Sequence, residues 1–69
     1  MNSPIISLIT PCYNVEATLE RYLNSVLSQT YKKIELIAVD DGSTDNTKSI
    51  LLKYKDIFDS EGMKLVYVY

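Results

Sequence analysis

The chain of 69 residues has no histidine, a single cysteine and only two glycines. With no histidine and with Cys12 alone, neither a Cys/His zinc site nor a disulfide can form within one chain. Cys12 as a nucleophile would lack an imidazole to take its proton, so a small buried side chain is the expected role. The only adjacent basic residues are Lys32-Lys33, and the net charge is −2. The basic footprint of a nucleic-acid-binding surface is therefore missing. No apolar run approaches the ~20 residues of a membrane span. The N-terminus also lacks the basic and then apolar pattern of a signal peptide. A cytoplasmic location is expected, with the cytoplasmic face of a membrane open to a longer full-length protein.

What is present is an ordinary globular composition, 46% hydrophobic and 23% charged, arranged in alternating patterns. "IISLIT", residues 5–10, is short, apolar and β-branched, as a buried strand is, and Pro11 is expected to stop it. Asn14 is a candidate helix N-cap, with Glu16 in the first turn where the helix dipole favours an anion. Val15, Leu19, Tyr22, Leu23, Val26 and Leu27 then recur at helical spacing, and the helix should end near Gln29-Thr30. "IELIAV", residues 34–39, is a second apolar strand. "DDGSTDNT" breaks regularity and offers Ser43, Thr44 or Asp45 as caps. A second helix carries Thr47, Ile50, Leu51, Tyr54 and Phe58 on one stripe. "DSEGM", residues 59–63, is a turn, and "KLVYVY", residues 64–69, is a third strand rich in β-branched and aromatic residues.

The order β-α-β-α-β predicts an α/β fold with a three-stranded parallel sheet. Right-handed crossovers would put both helices on one face of it. Yet the strands carry apolar residues on both faces, as in a doubly covered sheet. Ile5 and Ile9 oppose Ile6 and Leu8, while Ile37 and Val39 oppose Leu36 and Ala38. One apolar layer is left without cover. The expectation is an incomplete domain, residues 4–69 forming its N-terminal portion and residues 1–3 a short tail. Such a chain should self-associate, through the bare face or through the unpaired edge of its first strand.

Parallel strands bring their carboxyl ends to one edge, where ligands of open α/β sheets bind. The first strand delivers "TPCYN" there, and the second delivers Asp40 and Asp41. Two neighbouring carboxylates repel each other, so their placement calls for a purpose. With Tyr13 and Asp41 on one edge, an aromatic face stands beside a carboxylate acceptor. That suits a flat heterocycle with an N–H on its rim. Uracil offers its face and its N3–H, whereas cytosine presents an acceptor N3 to the same negative oxygen. A uridine or thymidine nucleotide is favoured over a cytidine one.

"SLITPCYN", "LERYLNSVLSQTY" and "IELIAVDDGSTDNT", in that order, resemble the start of the family-2 glycosyltransferases with the Rossmann-like GT-A fold. The resemblance spans roughly residues 5–69. It implies transfer of a sugar from a nucleotide sugar, such as a UDP-sugar, to a glycan or lipid-linked acceptor, with inversion. It also implies a divalent metal, Mn²⁺ or Mg²⁺, in the full-length enzyme and none in this chain. By the same resemblance Pro11 and Tyr13 belong to the base pocket and Asp41 hydrogen-bonds the base. Asp40 is its paired neighbour, nearer the base or ribose, and Glu16 matches an acidic position close to the nucleotide. The family's later Asp-X-Asp motif and its general base are not among these residues. The chain is thus expected to hold half a nucleotide-sugar site and to be inactive alone.

Three other readings compete. An NAD-type Rossmann domain needs a glycine-rich turn after the first strand, and "PCYNVE" has no glycine. A phosphoacceptor signalling domain would carry its acidic pair after the first strand, not the second. A non-catalytic nucleotide-binding or assembly module of the same fold remains as the alternative.

Overall fold

The computed structural model describes residues 4–69. Five elements follow in order: β1 (Ile6–Cys12), α1 (Glu16–Leu27), β2 (Ile34–Asp40), α2 (Thr47–Ser60) and β3 (Lys64–Val68). The strands form one parallel sheet in the order β1-β2-β3. The predicted topology is the observed one.

Sheet register divides the strand residues between two environments. Leu36, Ala38 and Leu65 point to the covered face and are buried with Leu19, Leu23 and Val26 of α1 and Leu51, Tyr54 and Phe58 of α2. Both helices therefore pack on that face, as right-handed crossovers require. The predicted helical stripes form this core. Each large side chain fully buried here, such as Phe58 or Leu23, contributes about 1.5–3 kcal/mol by leaving water.

The opposite face carries three rows across the sheet, Ser7–Glu35–Lys64, Ile9–Ile37–Val66 and Pro11–Val39–Val68. The first row is polar, and Ser7 Oγ donates to Glu35 Oε1 at 3.4 Å. The other two rows are apolar and uncovered among the described residues, with Ile9 70% exposed.

Three local expectations need correction. Pro11 does not end β1, which continues through it to Cys12. The Ile6 N–H donates to the Lys33 carbonyl, and the Cys12 carbonyl accepts from the Asp41 N–H. Even-numbered residues of β1 thus bond toward β2, and the Pro11 nitrogen faces the open edge, where its missing N–H breaks no ladder bond. Asn14 is not the N-cap of α1; Val15 holds that position. Asn14 instead has a φ of 50°, a left-handed backbone that asparagine tolerates better than most residues. The N-cap of α2 is Asn46, one residue beyond the predicted candidates.

The end of α2 explains the turn into β3. The Met63 N–H donates to the Phe58 carbonyl at 2.9 Å and the Gly62 N–H to the Asp59 carbonyl at 3.1 Å. This paired closure requires a left-handed residue between helix and strand, and Gly62 supplies it at φ 78°. Met63 and Phe58 are both buried beside it. A Cβ at position 62 would meet nothing within 4 Å, so only the backbone opposes a side chain there. Gly62→Ala should therefore lower stability by about 1–2 kcal/mol. In a chain this short that is a fall of roughly 4–8 °C in melting temperature per kcal/mol, readable by circular dichroism. An unchanged melting temperature would contradict the assignment of strain to this turn.

Candidate functional site

The carboxyl ends of β1 and β2 finish together, since Cys12 and Asp40 are register partners. The residues that follow them, Tyr13 and Asp41, start two adjacent loops at one sheet edge. The Asp41 N–H donates to the Cys12 carbonyl at 2.9 Å, which ties the loops at their base. Tyr13 is 58% exposed, and Asp41 is exposed as well. Nothing in the chain takes up the Asp41 carboxylate among the described hydrogen bonds and ion pairs.

Asp40 has the opposite environment. It is only 3% exposed. Its Oδ1 accepts from the Ser43 N–H at 2.9 Å, and its Oδ2 accepts from the Tyr67 hydroxyl at 2.8 Å. Hydrogen bonding from Ser43, with help from Tyr67 and the nearby Lys48 charge, holds its carboxyl below the ordinary value, against the opposing effect of burial. The adjacent carboxylates are thus separated in role: one turned in and satisfied, the other presented at the surface. The Tyr67 hydroxyl is correspondingly pushed up to about 12, by burial first and then by its bond to Asp40. Burial, with the Asp40 charge, also raises Cys12, which keeps that side chain a thiol at neutral pH.

Above this base the two loops are latched by crossed hydrogen bonds. Asn14 N–H donates to Ser43 Oγ at 2.9 Å, and Asn14 Oδ1 accepts from the Thr44 N–H at 2.8 Å. Val15 N–H donates to Thr47 Oγ1 at 3.0 Å. Asp45 Oδ2 accepts from the Glu16 N–H at 3.2 Å, while its Oδ1 accepts from the Thr47 N–H at 3.0 Å and hydroxyl at 2.6 Å. One carboxylate therefore satisfies orphan N–H groups at the start of both helices. Glu16 Oε2 accepts from Asn46 Nδ2 at 3.2 Å, so its side chain bridges the same loops. Asn14, Ser43 and Asp45 were legible only as local caps, and Thr47 only as part of the α2 stripe. Their pairing across 29 to 32 residues of sequence depends on the strand register.

Pro11 stands apart from this cluster. It lines a cleft of about 450 Å³ between the open edge of β1 and α1, with Cys12, Leu19, Arg21 and Tyr22 among the other walls. Tyr13, Glu16, Asp40 and Asp41 do not line it. The hollow follows from the open edge of the sheet; the exposed carboxylate and ring stand at the strand ends instead.

Among the described residues no group of three or more His, Cys, Asp or Glu side chains could hold a metal ion. Asp59 and Glu61, an acidic pair with one residue between them, flank the end of α2, and Glu61 lies 3.9 Å from Lys32. No helix among the described residues is long and apolar enough to cross a membrane.

Open α/β sheets bind their ligands at the carboxyl ends of the strands, and sequence comparison gives the family. The family described as Glycosyl transferase family 2 matches residues 7–68. This chain belongs to that family. It is 43% identical over 67 residues to an uncharacterised glycosyltransferase of Rickettsia prowazekii, covering 97% of this chain and 19% of the relative. It is 43% identical over 65 residues to TuaG of Bacillus subtilis, a putative teichuronic acid biosynthesis glycosyltransferase, covering 94% of this chain and 25% of the relative. A third relative is WfgD of Escherichia coli, a UDP-Glc:alpha-D-GlcNAc-diphosphoundecaprenol beta-1,3-glucosyltransferase. It is 43% identical over 56 residues, 81% of this chain and 22% of the relative. The chain spans about a fifth to a quarter of the length of these relatives. No solved structure matches it.

The latch has a pH dependence. Asp45 is held below the ordinary carboxyl value, chiefly by the Thr47 hydroxyl, and Asp40 is lowered as described. A carboxyl lowered in the folded state binds protons less readily than in the unfolded chain, so acid favours unfolding. Their contribution should be complete above about pH 5 and drain as pH falls below about 4 through the depressed folded values. Asp45→Asn, which leaves one oxygen for two helix starts, should lower the melting temperature at pH 7. It should also flatten the decline between pH 5 and 2. A variant that kept the wild-type slope would refute the latch.

Proposed function

We propose that the strand-end site is the uridine half of a nucleotide-sugar pocket, in the N-terminal portion of a GT-A domain. In this proposal the full-length protein is an inverting glycosyltransferase of hexosyltransferase type, acting on a glycan or a lipid-linked acceptor. The observation that carries the proposal is the exposure of Tyr13 and Asp41, each directly after one member of the Cys12–Asp40 register pair, while Asp40 is internally satisfied. The named activity of WfgD, a UDP-Glc glucosyltransferase, supports a uridine donor.

The Tyr13 ring offers a stacking surface, and the Asp41 carboxylate accepts the uracil N3–H in a charge-assisted bond. Pro11 is left out of this contact, since it lines the separate cleft beside α1. Asp40 acts beneath the base and ribose by fixing the turn that carries its neighbour, and Glu16 stands at the rim. In the full enzyme a general base removes the acceptor proton as that oxygen attacks the anomeric carbon. The bond from that carbon to the diphosphate breaks, and the nucleoside diphosphate leaves with the electron pair. Among the described residues no group of three or more candidate metal ligands is gathered, and in this proposal they hold no metal. Their part is to bind and orient the donor. The 69-residue chain alone should turn over no nucleotide sugar.

Calorimetric titration of the full-length protein should show UDP binding well above CDP. Tyr13→Ala should weaken UDP by about tenfold or more, the scale of one lost base–aromatic stack. Asp41→Asn should weaken UDP and narrow its advantage over CDP, because an amide N–H can donate to cytosine N3. Equal binding of UDP and CDP by the wild type would overturn the uridine assignment.

We also propose that the chain on its own associates through its bare face, since the rows Ile9–Ile37–Val66 and Pro11–Val39–Val68 present a continuous apolar surface. Sedimentation of the isolated chain at high concentration should give a mass above the 7.9 kDa monomer, and Ile9→Lys should return it to that value. A monodisperse wild-type monomer would sink the idea.

A further inference from the structure

Tyr67 lies on β3, outside the two loops that form the candidate site. It pairs with Ala38 in register, so its side chain is on the helix-covered face. There it runs toward the end of β2 and donates to Asp40 Oδ2 at 2.8 Å. Lys48 Nζ of α2 stands 5.9 Å from the centroid of its ring, which helps keep the phenol over this spot. The other Asp40 oxygen holds the Ser43 N–H. That bond closes a turn in which Gly42 has a φ of 81°, and Asp41 is the residue between the buried carboxylate and this turn. The same Ser43 receives the Asn14 N–H through its hydroxyl, and Asn14 directly follows Tyr13. One phenol is thus linked, through the buried Asp40 carboxylate, to the segment that carries Asp41, and through Ser43 in turn to the one that carries Tyr13.

We propose that Tyr67 is a positioning residue of the base pocket: its hydroxyl fixes the Asp40 carboxylate, which holds the Gly42–Ser43 turn and so sets the direction of the Asp41 carboxylate toward the base. The proposal rests on the uridine reading above. Tyr67 does not touch the base. Its effect is on the geometry of the acceptor, and a charge-assisted hydrogen bond to uracil loses strength steeply as its angle departs from linear.

The test uses full-length protein and UDP. Tyr67→Phe removes one oxygen and keeps the ring, and it should raise the Kd for UDP about fivefold to tenfold, the scale of one ordinary net hydrogen bond. Hydrogen exchange at the Ser43 amide should quicken by about tenfold, with the core amides of Leu36 and Leu51 changed far less. As a control, Phe58→Leu in the core should lower the melting temperature at least as much and leave the Kd within about twofold. Should Tyr67→Phe be too unstable to assay, the wild type supplies the readout: the Tyr67 ζ-carbon resonance should shift on saturation with UDP. A wild type that binds UDP and a Tyr67→Phe protein that binds it equally would overturn the inference and leave the uridine reading standing. So would an unmoved ζ-carbon resonance. A wild type that binds no UDP would overturn the uridine reading, and this inference with it.

Discussion

The pairing of Cys12 with Asp40 across the β1–β2 ladder is the constraint on which the site depends. Parallel strands in register end level with one another, so the residue after each strand emerges at the same height. That is what makes neighbours of Tyr13 and Asp41, which are far apart in sequence. A shift of one residue would exchange Asp40 and Asp41 between interior and surface. The register is held by the apolar alternation of β2, where every second residue from Ile34 to Asp40 is buried. The loops then reinforce it through the bonds that Asn14, Asp45 and Thr47 make across them.

The site also shows how two adjacent carboxylates coexist. Asp40 is solvated by the protein itself, with a backbone N–H on one oxygen and a phenol on the other. Such bonding offsets the cost of burying the charge. Asp41 keeps its contact with water and remains free to accept a donor. Placing two like charges back to back across the sheet edge, one facing inward and one outward, reduces their competition for the same partners.

Much of the fold was legible from the chain. Helical spacing from Leu19 to Val26 and from Thr47 to Phe58 marked both buried stripes, and the β-branched runs marked the strands. Local chemistry was less legible because it is decided by tertiary pairing. Pro11 reads as a stop unless it is known that its nitrogen faces an unpaired edge. Asn14 reads as a cap unless the loop beside it is known to offer Ser43 and the Thr44 N–H. Tyr67 gave no signal of its own. It is one more residue of a strand rich in β-branched and aromatic side chains, and only the sheet order brings its hydroxyl to Asp40. Family membership, in contrast, was carried by the order of three short segments and needed no coordinates.

The proline in β1 has one more consequence. A strand arriving alongside the free margin of β1 would find amide protons offered by Ser7 and Ile9 and none at the next outward-facing position. Zipping along that margin would lose a donor at Pro11, one residue before β1 ends. The proline thereby weakens sheet growth along this margin at the carboxyl end of β1.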